Sequence, residues 1–214
     1  IPDAPFLTEY GYDDYGAFNC SGPQMYVHDD VKSAIPFIEK SQAKGKPFFI
    51  NLWIHEPHTP FHVDPKLQKR FSKLEEKDAI YAATLFHADL RIGQLLDALD
   101  RLNLTKDTLV IFSSDNGPAR GAPDAPLTLG YDSATGLGYG IAAAKGITGD
   151  RRAYKGALLE GGIGVPFIAR WPGKVPAGKV DKTSILSAVD LLPTFCELAG
   201  VKLPRSYKPD GISQ

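Results

Sequence analysis

The sequence predicts an α/β fold, a layered sheet with helices packed on it, and two observations carry that prediction. Three continuous apolar runs, FFINLWI at 48–54, TLVIFSS at 108–114 and GVPFIARW at 164–171, have the length and composition of strands. Between and after them, apolar residues recur at helical spacing. Strands alternating with helices along one chain imply a layered sheet rather than a bundle or a sandwich.

Residues 1–28 are rich in Gly, Pro, Tyr and Asp without sustained periodicity and read as an irregular covering segment. From Asp30, an N-cap candidate, Val31, Ala34, Ile35 and Ile38 recur at helical spacing, with Pro36 marking a kink or a late start. Lys44-Gly45-Lys46-Pro47 ends that helix. FFINLWI, bounded by Pro47 and His55, has the pattern of a strand covered on both faces.

A long helix begins near Glu76, with Tyr81, Leu85, Ala88, Ile92, Leu95, Leu96, Leu99 and Leu102 on one stripe. TLVIFSS follows as a second buried strand. Residues 117–153, dense in Gly, Ala and Pro, read as one long loop, and a loop of that length usually serves function. GVPFIARW is the third strand, and SAVDLLPTFCELAG at 187–200 is a helix closed by Gly200.

A chain of 214 residues can bury roughly 70% of its unfolded surface, so it needs no staples. The 24 basic and 25 acidic residues nearly cancel, and no whole-chain field points to nucleic acid or an anionic membrane. Cys20 and Cys196 form at most one bridge and leave the redox compartment open. No apolar run approaches the roughly 20 residues of a membrane span.

Three groups of residues could carry chemistry. Asp115-Asn116-Gly117 follows the second strand and reads as a tight turn or as a pair of oxygen donors for a hard cation. A hairpin is disfavoured, because PARGAPDAP beyond it is no alternating strand. HEPHTPFH sets His55, His58 and His62 just past the first strand; zinc is disfavoured, because Pro57 and Pro60 break the helical spacing that would aim His58 and His62 at one metal. A histidine there could act as general acid, or simply be a loop residue bonded to backbone. Lys155 precedes Glu160-Gly161-Gly162, where paired glycines permit a close approach and the lysine could hold an anion as a point charge.

Taken in order, these segments resemble the type I, formylglycine-dependent sulfatases of the alkaline phosphatase-like superfamily. KPFFINLWIHEPHTPF resembles the family's strand and His-x-Pro segment, YAATLFHADLRIGQLLDALDRLNLTKDTLVIFSSDNG its helix, strand and Asp-Asn-Gly, and YKGALLEGGIGVPFIARWPGKV its lysine segment. The resemblance runs from about Gly11 to Leu203. It implies an alkaline phosphatase-like α/β/α layered mixed sheet, incomplete here, with 1–214 as the middle and later part of the sulfatase catalytic domain and 117–153 as a long active-site loop.

The resemblance also implies that Asp115 and Asn116 coordinate a divalent cation, usually Ca2+ with Mg2+ as the other option. It implies that His58 contacts the scissile ester oxygen and assists the leaving group, and that Lys155 binds a sulfate oxygen. His55 and His62 match no fixed role and stand as substrate contacts. The partner implied is a small-molecule or glycan sulfate ester, in a periplasmic, secreted or lysosomal setting.

The sequence departs from the family in two respects. Gly164 stands where Glu-Gly-Gly-x-Arg would have arginine. The Cys-x-Pro-x-Arg motif, whose cysteine becomes formylglycine, is absent, as are its companion aspartates; CSGPQ at 20–24, Asp13-Asp14 and Asp29-Asp30 do not match them. The 214 residues alone are therefore expected not to turn over. A phosphoesterase or phosphonate hydrolase of the same superfamily, and a non-catalytic interaction module, are the alternatives.

Overall fold

The computed structural model describes residues 5–16, 30–132 and 136–214. The chain divides into two compact units, Ile1–Val175 and Pro176–Gln214. Cys20, the CSGPQ stretch, Asp29 and most of the 1–28 segment lie outside the described residues.

In the larger unit, helix α1 runs Asp30–Ala43, and Val31, Ala34 and Ile38 are buried along one stripe, as their spacing predicts. Asp30 is the first helical residue, and Pro36 lies inside the helix without delaying its start. Gly45 closes it in the left-handed region at φ 62°, with Lys46 N–H donating to Ser41 O at 3.0 Å. A Cβ would be strained at that φ.

FFINLWI does not form a strand: 48–54 carries no regular secondary structure, and Phe49 and Trp53 are 59% and 79% exposed. Apolar content predicts burial, but a strand also needs a neighbour to pair its backbone. The described strands pair with one another instead.

A short helix, α2 (Pro65–Arg70), starts where Asp64 Oδ1 accepts Lys66 N–H at 2.7 Å and Pro65 occupies the first turn. The long helix α3 (Glu76–Arg101) buries Ala79, Ile80, Ala83, Thr84, Ala88, Ala98 and Leu99. Leu85, predicted on the core stripe, is exposed. Four of the seven buried residues are alanines, so its partners approach closely, and both α1 and α2 pack on it. Gln42 Nε2 donates to Leu102 O at 2.8 Å and Arg101 pairs with Glu39 at 2.8 Å, tying α1 to the end of α3.

Two small antiparallel sheets complete this unit. Strand β1 (Phe61–His62) pairs with β4 (Gly136–Tyr139), which pairs with β3 (Thr128–Asp132). Strand β2 (Val110–Ser113) pairs with β5 (Phe167–Arg170), Val110 opposite Arg170 and Ser113 opposite Phe167. The second and third apolar runs are thus strands, but Phe112 and Ile168 are exposed rather than covered.

Residues 117–153 are not one long loop, because they contain the β3–β4 pair. Gly130, Gly136 and Gly138 supply no side chains, so these strands leave no period-two pattern to read. A core cluster of Phe61, Ile80, Ala143 and Ala144, with Val63, Tyr81, Leu127, Tyr139 and Ile141 packed on it, joins this sheet to α3.

In the smaller unit, a 3-10 turn at Ala188–Asp190 leads into the helix Leu191–Leu198. Gly200 closes it at φ 67°. The buried Asp190 carboxylate accepts the N–H groups of Ser187 and Ile212, each at 2.9 Å, fastening the chain's last residues to the start of the helix.

Candidate active site

The Asp115-Asn116-Gly117 turn follows the end of β2. Asp115 is exposed and Asn116 half-buried. Asn116 N–H donates to Asp115 Oδ1 at 2.9 Å, and Asn116 Nδ2 donates to Gly117 O at 3.0 Å. With its nitrogen committed, the Asn116 side chain offers its oxygen, the atom a hard cation takes.

Gly117 locks this turn to the lysine segment. Its N–H donates to Gly162 O at 2.8 Å, and a Cβ on it would lie 1.9 Å from Gly161 O. Gly161 and Gly162 belong to the short helix α4 (Glu160–Ile163); Cβ atoms there would lie 2.1 Å from Ala153 O and 2.1 Å from Ala157 O. The glycines are required by close backbone approach rather than by unusual torsions. Lys155 N–H donates to Pro118 O at 2.9 Å, so the lysine's backbone lies beside the turn, and the residue is exposed. Arg151 Nη1 donates to Gly164 O at 3.1 Å, bringing a guanidinium to the position where the sequence lacks one.

The histidine segment is a tight turn in which His58 N–H donates to His55 O at 2.8 Å. The Glu56-Pro57 and Thr59-Pro60 bonds are cis. His58 is exposed, and its Nδ1 lies 2.6 Å from Thr59 O. A carbonyl only accepts, so Nδ1 carries the hydrogen and Nε2 is left for outward chemistry. The His55 ring stands 5.6 Å from His58; burial, and then the nearby His58, hold His55 below the ordinary histidine value. His62 sits apart on β1, its ring over Gly138, where a Cβ would lie 3.2 Å from His62 Cε1.

The fold thus groups Asp115, Asn116 and the Lys155 backbone, and groups His55 with His58. A line of packing joins the two groups. Phe61 meets Tyr81 edge-on with centroids 5.8 Å apart, and a Cβ on Gly146 would meet the Tyr81 hydroxyl at 3.1 Å and Pro118 Cβ at 2.5 Å.

Three site-supporting residues escape sequence reasoning. Glu56 Oε1 lies 3.4 Å from His87 Nδ1 and 3.3 Å from Arg91 Nη1, with the Glu56 side chain only 11% exposed. Burial raises the Glu56 carboxyl, but His87 and Arg91 outweigh it and hold it below its ordinary value. The only signal in the sequence is the i, i+4 spacing of His87 and Arg91, which puts both on one helix face.

Among the described residues, no group of three or more His, Cys, Asp and Glu converges as a metal site. Asp115 and Asn116 fit a hard cation in donor type and would offer two of the roughly six to eight oxygens calcium takes.

A family model described as Sulfatase matches residues 3–201. The chain is 32% identical over 183 residues to arylsulfatase G of Rattus norvegicus, covering 85% of this chain and 32% of that protein. It is similar to the solved structure of Ps i-CgsB in complex with k-i-k-neocarrahexaose, at 32% identity and a TM-score of 0.68, covering 85% of this chain and 36% of that one. It is likewise similar to PsFucS1 sulfatase from Pseudoalteromonas sp., at 28% identity and a TM-score of 0.62, covering 86% and 32%. The chain spans about a third of the length of these relatives.

Proposed function

Because the chain belongs to the sulfatase family and shares its alkaline phosphatase-like α/β fold, we propose that the protein carrying it hydrolyses a sulfate ester and that these residues form the sulfate- and leaving-group side of its site. One observation carries the reading: the Asp115-Asn116 turn is fastened to the Lys155 segment by Gly117 N–H to Gly162 O and Lys155 N–H to Pro118 O. Oxygen donors and a lysine therefore stand on backbone segments bonded to each other.

A divalent cation of the calcium or magnesium class fits Asp115 and Asn116 and, when bound, draws charge from the sulfate oxygens. The formylglycine of the family, whose motif is absent from this sequence, would supply the nucleophile. Lys155 holds a sulfate oxygen as a point charge. As the sulfur–oxygen bond breaks, His58 in its imidazolium form gives the Nε2 proton to the ester oxygen and returns to the neutral ring with Nδ1–H on Thr59 O, which matters most when the departing alkoxide is basic. His55 lies beside His58 and serves as a substrate contact; His62 on β1 stands as a second, further along the same segment.

A sulfated sugar is the proposed substrate class, supported by the carrageenan-type oligosaccharide named with one related structure. A periplasmic, secreted or lysosomal setting goes with the family. Among the described residues no helix is long and apolar enough to cross a membrane.

The test is a panel of sulfated monosaccharides and aryl sulfates offered to the full-length protein, with H58A alongside. Turnover of the sugar esters, and a loss of about 10²- to 10⁴-fold in H58A, are expected. Activity confined to aryl esters would reject the sugar, and an unimpaired H58A would reject its role.

A further inference from the structure

Glu56 lies two residues before His58 and goes the other way: its side chain is 11% exposed whereas His58 is out in solvent. On its far side the turn that carries His58 is anchored by Phe61, buried in the core cluster. Residues 48–54 before it carry no regular secondary structure, and β1 after it is only two residues long. Within the turn the backbone hydrogen bond from His58 N–H to His55 O sets the curvature.

On its near side Glu56 meets α3. Its Oε1 lies between His87 Nδ1 at 3.4 Å and Arg91 Nη1 at 3.3 Å, two side chains one turn apart on α3. Glu56 and Arg91 are 11% and 16% exposed, so water and salt screen their attraction far less than that of a surface pair. The helix beneath is 26 residues long and braced by α1 and α2.

We propose that Glu56, clamped between His87 and Arg91, is a positioning residue that holds the His55–His58 turn on α3 and thereby sets the reach of the His58 ring toward the leaving group. The inference rests on the reading of His58 as the acid. Glu56 touches neither substrate nor reacting atoms; it acts through the backbone it shares with His58. Since His58 Nδ1 is engaged by Thr59 O, the ring cannot correct its aim by swinging freely, and the placement of Nε2 follows the placement of the turn. A misplacement of about 1 Å in such a group lowers rates by about 10²-fold.

The test uses the full-length enzyme, with E56Q, R91K and H58A assayed on 4-nitrophenyl sulfate, whose leaving group needs little protonation, and on a sugar sulfate, whose leaving group needs it. E56Q is expected to lower kcat on the sugar sulfate about 10- to 100-fold and on the nitrophenyl ester less than about 3-fold, with KM nearly unchanged. H58A is expected to show the same split, larger, and R91K, which keeps the charge, to retain most of the activity. A purely structural role for Glu56 lowers both substrates alike, in proportion to the folded fraction, and that result overturns the proposal. A split in H58A without one in E56Q defeats the clamp alone; no split in H58A defeats the reading of His58 and the clamp with it. If E56Q does not fold, R91M and H87N remove its partners singly, and equal losses on both substrates in these variants overturn the proposal in the same way.

Discussion

Gly117 donates its N–H to the carbonyl of Gly162 at 2.8 Å, across a gap so narrow that a Cβ on Gly117 would lie 1.9 Å from Gly161 O. Two segments forty-five residues apart thereby become one piece, with Asp115 and Asn116 on one side and Lys155 on the other.

Replacing Gly117 by alanine forces these backbones apart. G117A is expected to lose about 1–3 kcal/mol of stability, the range for overpacking a close contact, and to lose activity at the same time. A urea midpoint like that of the parent would show that the contact yields easily.

The oxygen pair of Asp115 and Asn116 predicts a response to metal. Calcium at about 100 times its dissociation constant stabilises a folded protein by about 2.7 kcal/mol. The full-length protein is therefore expected to melt at higher temperature with calcium than with chelator. D115A and N116A are each expected to shrink that shift, and an undiminished shift in both would place the cation elsewhere.

Phe61, 1% exposed, joins the core cluster to the strand that follows the His58 turn. F61A removes its edge-on contact with Tyr81 and is expected to lower stability by about 3–5 kcal/mol. Denaturant unfolding measures it, and a change below about 1 kcal/mol would mean the site collapses around the cavity.

His55 and Glu56 make stability depend on pH in one direction. The folded His55 binds its proton below the ordinary 6.5, so the unfolded chain binds more protons and stability declines as pH falls below about 6.5. The folded Glu56 titrates below the ordinary 4.5, so its contribution is present above that value and is lost as pH falls through the folded value. The urea midpoint is expected to drop in two stages, one as pH falls below the ordinary histidine value of 6.5 and one as it falls below the ordinary carboxyl value of 4.5, H55Q removing the upper stage and E56Q the lower. A flat profile in the parent would contradict both shifts.

The long helix, its start near Glu76 and the closure at Gly200 were legible because they rest on local pattern, apolar spacing or a glycine, which needs no distant partner. The strand assigned to 48–54 was not: the apolar run is real, yet the described strands pair elsewhere and leave Trp53 exposed. The β3–β4 pair escaped for the opposite reason, since its glycines carry no alternating side chains. At the site, His58, Lys155, Asp115 and Asn116 stood out by their neighbours in sequence. Glu56 with His87 and Arg91 did not, because thirty-one residues separate the carboxylate from the nearer of its partners.

By itself the sequence determined the family, through the order of short motifs, and the helices, through spacing that repeats within a turn or two. Only the tertiary structure decided which segments touch: that the Asp115-Asn116 turn is pinned to Gly162, that His58 Nδ1 is engaged by Thr59 O, and that Glu56 rests on α3. Motifs and helical periodicity are local properties of the chain. Close backbone approach and the pairing of half-buried charges depend on residues far apart in sequence, and folding alone brings them within a few ångströms.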